Sequence, residues 1–181
     1  MFTLDAGDGL KLRAYTPDDA PVLFAAVDES RQFLSQWFPW VAANTTVEHS
    51  RRFIEEMCQK AEVQEELALG IFRGDTLVGS IGLHHWEHHL KRAQLGYWLS
   101  NHAEGKGYAT RAVGCLVNFV FTNTDIRKLE IHYAAANVRS AGVAGRLGFH
   151  IEGVLRKSCI RNGIVDDLVI TGVLREEWGR K

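Results

Sequence analysis

Two glycines flank a lysine at Gly105-Lys106-Gly107, between an apolar stretch ending at residue 99 and a long apolar segment continuing to residue 121. Glycine adopts backbone conformations that other residues avoid, so the chain can turn tightly there and present amide N–H groups to a ligand. The N-terminus of a following helix adds unpaired N–H groups and about half a unit of positive charge. The loop matches neither a Walker loop nor the complete GxGxxG pattern. It predicts a phosphate-binding loop, with an ordinary tight turn as the alternative.

A second polar group follows a predicted strand over residues 129–136. Asn137 and Ser140 stand between that strand and a short predicted helix over residues 139–147. Taken alone, Asn137 is interpretable as a helix cap and Ser140 as a surface residue. Their position about thirty residues after the glycine loop makes them candidates for a shared site.

Four histidines within residues 84–89 raise the question of a metal site. Adjacent residues of a strand point to opposite faces, and the segment is predicted to bend, so the four rings need not converge. We expect no metal, and we expect His84 and His85 to line an acceptor cleft. The cysteines are odd in number and widely spaced, which favours neither a disulfide framework nor a zinc site; they are Cys58, Cys115 and Cys159.

Hydrophobic periodicity predicts one mixed α/β (α+β) domain over residues 1–181. Strands are predicted over residues 10–15, 66–72, 77–83, 92–99, 129–136, 149–155 and 165–174. Helices are predicted from 17 to about 37, from 46 to about 61, over 105–121 and over 139–147. The third helix is apolar almost all round, which is typical of a helix buried against a sheet.

Composition and charge narrow the function classes. The net charge of −1 gives no support to nucleic-acid binding. Residues 1–100 carry 9 basic and 14 acidic side chains, whereas residues 101–181 carry 12 and 8, so an anionic ligand is expected in the second half. No apolar run approaches the roughly 20 residues of a membrane span, and the first residues do not form a secretory signal. A cytoplasmic protein is expected.

Several ordered motifs together resemble the RimJ/RimL branch of the GNAT-fold acetyltransferases. The motifs are Gly96-Tyr97-Trp98-Leu99, Gly105-Lys106-Gly107-Tyr108-Ala109-Thr110, Asn137-x-x-Ser140 and Leu147-Gly148-Phe149. The resemblance implies a mostly antiparallel central sheet with splayed strands, flanked by helices. It also implies an N-acetyltransferase that uses acetyl-CoA as cosubstrate and transfers the acetyl group directly to a primary amine.

The resemblance assigns roles to particular residues. The expected cofactor-binding residues are Trp98, Leu99, Glu104, Gly105, Lys106, Gly107, Tyr108, Ala109, Asn137 and Ser140. Main-chain amides of the glycine loop are expected to bind the pyrophosphate, and the pantetheine arm is expected to lie between the splayed strands. Asn137 matches a residue that orients the pantetheine or a water molecule. Ser140 matches a hydroxyl that protonates the leaving thiolate, so these two are the expected catalytic residues.

The sequence departs from the family pattern at the positions that would supply the general base. Gln94 and Cys159 stand at two positions where relatives carry glutamate. The remaining candidates are His84, His85, Glu130, Tyr133 and Asp166.

The absent carboxylates favour an acceptor that needs little help to lose a proton. Roughly a tenth of an α-amine with a pKa of about 7.7–8.0 is neutral at pH 7, against well below about 0.1% of a lysine amine. The expected acceptor is therefore the N-terminal α-amine of a ribosomal protein, with Trp37 and Trp40 as an apolar wall for the peptide, beside His84 and His85. A small amine, such as a polyamine or amino sugar, is the alternative within the same chemistry. An inactive acyl-CoA-binding module is the alternative of another class. A homodimer is the expected assembly.

Overall fold

The computed structural model describes residues 2–179, which are built around one eight-stranded sheet of order β1-β2-β3-β4-β5-β6-β8-β7. The strands are β1 Thr3–Asp5, β2 Leu10–Ala14, β3 Leu67–Arg73, β4 Thr76–Glu87, β5 Arg92–Leu99, β6 Lys128–Ala134, β7 His150–Arg161 and β8 Ile164–Leu174. The α-helices are α1 Ala20–Glu29, α2 Arg31–Leu34, α3 Val47–Glu62, α4 Tyr108–Asn123 and α5 Val138–Arg146. The predicted mixed α/β class and mostly antiparallel sheet are confirmed.

One parallel pair interrupts the antiparallel sheet. Strands β5 and β6 pair over three positions, from Arg92 with Lys128 to Gln94 with Glu130. Beyond these positions β5 continues to Leu99 and β6 to Ala134 without further pairing to each other. The two strands therefore splay apart at their carboxyl ends. This gap is the architectural feature that positions the candidate site.

Helices cover both faces of the sheet. On one face α4 buries Val113, Leu116, Val117 and Val120 against the strands, in a core that also includes residues of α5. On the other face α1 and α3 bury a smaller cluster that contains Leu23, Val27, Leu34, Ile54 and Phe72. The prediction of a helix buried against the sheet is confirmed.

Several boundaries differ from the sequence-based prediction. Strand β1 was not predicted, because three residues are too short to show periodicity; it is held by pairing with β2. Strand β7 continues to Arg161 instead of ending at residue 155, because pairing with β8 resumes over Cys159 to Arg161 after a shift in register that follows Leu155. Helix α3 begins after Thr46, whose side chain accepts the His49 N–H at 3.3 Å.

Cys115 of α4 packs against the core but is only partly buried. Within residues 2–179, no helix is both long enough and apolar enough to cross a membrane.

Candidate active site

A cavity of about 280 Å³ lies in the gap between the splayed strands. Residues 95–99 of β5 and 131–134 of β6 form two of its walls. Further lining comes from Phe33, Trp37 and Phe38 around α2, from Asn137, Arg139 and Ser140 at α5, and from residues 159–161 of β7. The cavity therefore combines residues that are more than one hundred positions apart in the sequence.

The glycine loop borders this cavity through Glu104 and Ala109. Gly105 and Gly107 have φ values of +72° and +75°, a region that side chains with a Cβ rarely adopt. Gly107 is the N-cap of α4, which has no side-chain cap, and a Cβ built at either glycine would meet nothing within 4 Å. The loop therefore has open space at both glycines, next to the start of α4, where the first N–H groups of a helix lack intrahelical partners and can bind a phosphate group. This also explains why α4 begins at Tyr108 and not at residue 105.

An ion pair links the loop to α5. Arg139 Nη1 lies 3.1 Å from Glu104 Oε1, and its guanidinium lies over the Phe33 ring, 5.2 Å from the centroid. Lys106 is exposed within the loop. Lys106 thus places a positive charge within the loop, next to the candidate anion site, whereas Glu104 offsets the charge of Arg139 beside it.

Three polar side chains form a connected group on the cavity wall. Asn137 Oδ1 accepts the Ser140 N–H at 3.1 Å, so Asn137 caps α5 and lines the cavity as well. The hydroxyls of Tyr97 and Ser140 are 2.8 Å apart. Burial raises the pKa of Tyr97 to about 12, although its hydrogen bond with Ser140 acts in the opposite direction. Tyr97 consequently stays protonated at neutral pH and is a hydrogen-bond donor available to Ser140.

Of the four predicted acceptor-side residues, only Trp37 lines the cavity. The Arg161 guanidinium covers its ring at 5.4 Å. Trp40 is 41% exposed and contacts Trp98 from outside, with ring centroids 6.3 Å apart.

The two predicted histidines lie outside the cavity lining. The His84 ring covers Gly96 so closely that a Cβ there would be 2.3 Å from His84 Nε2, and His84 Nδ1 is 3.8 Å from Glu66 Oε2. Burial lowers the pKa of His84 despite the nearby Glu66 carboxylate. His85 is exposed in a left-handed backbone conformation, with φ of 47°. The roles of both histidines as acceptor-binding residues stay predictions.

Asp166 is another base candidate, and Cys159 stands where relatives carry glutamate. Asp166 accepts the N–H groups of Asp167 at 2.8 Å and of Ala136 at 3.3 Å, and these bonds lower its pKa. Cys159 lines the cavity, with its Sγ 3.4 Å from the Asp167 carbonyl oxygen, and burial raises its pKa. Cys159 is therefore a neutral thiol in this site.

Sequence reasoning did not single out His132. Its side chain lines the cavity, and its Nε2 is 2.8 Å from Oε2 of the buried Glu130. Residues Leu129, Ile131 and Tyr133 face the core under α4, so the alternation of β6 places Glu130 and His132 together on the opposite face. That two-residue spacing on a half-buried strand was the available signal.

The part of the chain that the structure describes contains no group of three or more His, Cys, Asp or Glu side chains that could hold a metal ion. The four histidines of residues 84–89 are thus not gathered at one point.

The fold and this site define an acyltransferase of the GNAT class, and comparisons with known proteins agree. The family model described as "Acetyltransferase (GNAT) domain" matches residues 9–150, and the chain belongs to this family. The probable N-acetyltransferase YjcK of Bacillus subtilis is 31% identical over 176 residues, covering 94% of this chain and 97% of YjcK. The ribosomal-protein-serine acetyltransferase of Escherichia coli is 25% identical, covering 92% and 93% of the two chains.

Solved structures give the same picture. The ribosomal L7/L12 α-N-protein acetyltransferase RimL, in complex with coenzyme A, superposes with a TM-score of 0.93 at 24% identity, covering 96% of this chain and 98% of that chain. The microcin C7 self-immunity acetyltransferase MccE, in complex with acetyl-CoA and AMP, has a TM-score of 0.88 at 26% identity, covering 93% and 94%. The predicted resemblance to the RimJ/RimL branch is confirmed.

Proposed function

We propose that this protein is an acetyl-CoA-dependent N-acetyltransferase whose acceptor is the N-terminal α-amine of a protein, with ribosomal proteins as the leading class. The observation that carries the proposal is the convergence of the glycine loop and the Asn137–Ser140–Tyr97 group on one gap between splayed strands. Acetyl-CoA supplies an activated acetyl thioester. The chain has to hold that donor, admit an amine and provide the protons that the transfer requires.

The donor-side roles follow from the geometry of the open loop. Main-chain N–H groups at Gly105, Gly107 and the start of α4 bind the diphosphate, and Lys106 adds positive charge from an exposed position. The unpaired edges of β5 and β6 offer backbone groups to the pantetheine amides, with Trp98 and Leu99 on one wall. These assignments match the predicted cofactor-binding residues.

Ser140 is the proton donor to the leaving sulfur. Its hydroxyl lies on the cavity wall and is hydrogen-bonded to the Tyr97 hydroxyl, which can return the proton to it. Asn137 holds the first turn of α5 through the Ser140 N–H and so keeps the hydroxyl in place. No enzyme nucleophile is needed, since an amine attacks a thioester directly.

The lining of the cavity supports an acceptor that enters as a neutral amine. Among the lining residues within 2–179, Glu104 is the only carboxylate, and it is paired with Arg139. The residues supplied by the acidic first half are apolar or aromatic there, including Phe33, Trp37 and Phe38. A lysine or polyamine amine is almost entirely protonated at pH 7 and would find no free carboxylate among these residues, whereas roughly a tenth of an α-amine is neutral.

A small-molecule amine is the second candidate, and it is supported by the structure of MccE, which contains the small molecule AMP together with acetyl-CoA. The two acceptors differ in what they contact: a peptide also covers the exposed rim near Trp40, whereas a small amine fits within the cavity. The Escherichia coli relative, which is named for a ribosomal-protein serine, supports the peptide acceptor.

A CoA-release assay on matched peptides tests the proposal. One peptide of each pair has a free α-amine and the other a blocked one, with a single internal lysine in both, and mass spectrometry locates the acetyl group. Turnover of the free peptides alone, with acetylation at the α-nitrogen, supports the proposal. Acetylation of the lysine in both peptides contradicts it, and turnover only with polyamines or amino sugars selects the second candidate. CoA binding without turnover on any amine indicates an inactive acyl-CoA-binding module.

A further inference from the structure

We propose that His132 is the catalytic base that takes the proton from the attacking amine, and that Glu130 is the positioning residue that holds its imidazole. The inference rests on the proposed amine acetylation and names the base that the sequence left unassigned. It is carried by a histidine that lines the cavity and is hydrogen-bonded to a carboxylate buried behind it.

The geometry of the pair is that of an oriented base. His132 Nε2 and Glu130 Oε2 are 2.8 Å apart, and the two side chains are 20% and 6% exposed. When Nε2 donates its hydrogen to the carboxylate, the lone pair of Nδ1 is left to accept a proton. Nδ1 of His132 has no hydrogen-bond partner within residues 2–179. The ring is therefore held at one nitrogen and available at the other.

Glu130 itself is unsuited to the role of base, although it was a candidate. Lys128 Nζ lies 2.9 Å from its Oε1, and His132 occupies its Oε2. Burial alone would raise the pKa of Glu130, but the hydrogen bonds from Lys128 and His132 outweigh burial and lower it. The carboxylate is consequently ionised and engaged at both oxygens, which suits an anchor and opposes proton uptake.

The charges around His132 come from three strands. Strand β6 itself carries Glu130 and Lys128. From β5, Arg92 Nη1 lies 3.5 Å from Glu130 Oε1. From β7, Glu152 forms an ion pair with Lys128 at 2.5 Å. The cavity lining adds Arg161 and Cys159 from β7, Arg139 from α5, Glu104 from the loop, Tyr97 from β5 and Tyr133 from β6. Helix α2 and the segment after it contribute apolar side chains there. Within residues 2–179, Glu130 is the one carboxylate that is hydrogen-bonded to the His132 ring.

Ser140 and His132 line the same cavity, so a proton donor and a proton acceptor share one site. As the amine nitrogen forms its bond to the acetyl carbon and the carbon–sulfur bond breaks, sulfur takes the Ser140 proton and His132 Nδ1 takes a proton from nitrogen. The Tyr97 hydroxyl returns a proton to Ser140, and solvent restores Tyr97 while removing the proton from His132. The products are an amide and the free thiol of CoA, so atoms and charge balance.

The test compares His132→Gln with His89→Gln, a matched change at an exposed histidine. With the best acceptor found for the wild type, we expect His132→Gln to lower kcat/KM by about 100-fold or more while CoA affinity stays within about twofold. Added imidazole should partly restore turnover in His132→Gly. The acid limb of the wild-type pH profile should be absent from His132→Gln and present in His89→Gln. Equal turnover of His132→Gln and wild type overturns the role of His132, whereas a wild type that acetylates no amine overturns the proposed function itself.

A second measurement needs no bound donor. Nitrogen-15 NMR of the histidine side chains of the ligand-free protein in alkaline buffer distinguishes the two tautomers of a neutral imidazole, and the His132 signals are assigned from the spectrum of His132→Gln. In the wild type the hydrogen of His132 should lie on Nε2, which faces the Glu130 carboxylate, and this preference should be reduced in Glu130→Gln, because an amide can face the ring with either its oxygen or its NH2 group. An unchanged tautomer preference overturns the role of Glu130. Thermal unfolding of each variant shows whether it is folded. If Glu130→Gln does not fold, the kinetics of His132→Gln still test the role of His132.

Discussion

Substitution of Gly107 separates the stability of helix α4 from the binding of an anion at its N-terminus. Gly107 has φ of +75° and open space where a Cβ would lie, so backbone strain is the cost of a side chain there. Gly107→Ala should destabilise the protein by roughly 1–2 kcal/mol. Asn and Asp visit this conformation more readily, and the chain already holds Asp8 and Asn162 in it. Gly107→Asn and Gly107→Asp are therefore a matched pair that differs mainly in charge.

The order of the two variants in stability should be the opposite of their order in CoA affinity. A carboxylate at a helix N-terminus stabilises the helix by about 0.3–1 kcal/mol, so Gly107→Asp should be at least as stable as Gly107→Asn in urea unfolding. At about 5 Å and an effective dielectric constant of about 20, the same carboxylate opposes each unit of phosphate charge by about 3 kcal/mol. Gly107→Asp should therefore bind CoA at least about 100-fold more weakly than Gly107→Asn.

Isothermal titration calorimetry with CoA at low and high salt measures this difference. High salt should reduce the gap between the two variants, because it screens charges at the exposed loop. Equal CoA affinity for Gly107→Asn and Gly107→Asp would refute the placement of the diphosphate at this loop. A less stable Gly107→Asp would refute the account of the helix N-terminus.

Three further changes test the site and the fold. Ser140→Ala should lower kcat by about 100-fold or more with little change in CoA affinity, as measured by steady-state kinetics and calorimetry; unchanged turnover would make Ser140 structural. Tyr97→Phe should give a smaller loss of kcat, since Ser140 keeps its own hydroxyl, and a loss larger than that of Ser140→Ala would mean that Tyr97 donates directly. Asp19→Asn should cost roughly 2 kcal/mol in urea unfolding at pH 7, because Asp19 accepts two hydrogen bonds from Arg13 and one from the Thr16 N–H. The Arg13 hydrogen bonds lower the pKa of Asp19 despite its partial burial. The stabilisation that Asp19 contributes should therefore be complete above the unfolded carboxyl pKa of about 3.9, and it should be lost as the pH falls through the lower pKa of the folded state. A difference between wild type and Asp19→Asn that persists at pH 2 would contradict the ion pair.

The sequence alone predicted those features that depend on a few neighbouring residues. The glycine loop was predictable because positive φ at Gly105 and Gly107 is a property of those residues. The helix buried over the sheet was predictable from its apolar residues, and Asn137 was correctly considered as a helix cap. The order of the main elements followed from periodicity.

The position of the cavity depends on the pairing of strands that are far apart in the sequence, and the sequence did not predict it. The three-residue parallel pairing that ends at Gln94 and Glu130 opens the cavity, and no local pattern encodes where two strands separate. The same pairing places Glu130 of β6 beside Gln94 of β5.

The sequence by itself determined the class of fold, the glycine loop before α4 and the residues at the start of α5. Each depends on the conformational preference of a few neighbouring residues. Only the tertiary structure decided that Trp37 lines the cavity while Trp40, His84 and His85 do not, and that His132 is held by Glu130 at its wall. Side-chain direction on a splayed sheet depends on register and on the helices packed over it, and these are set by contacts across the whole domain.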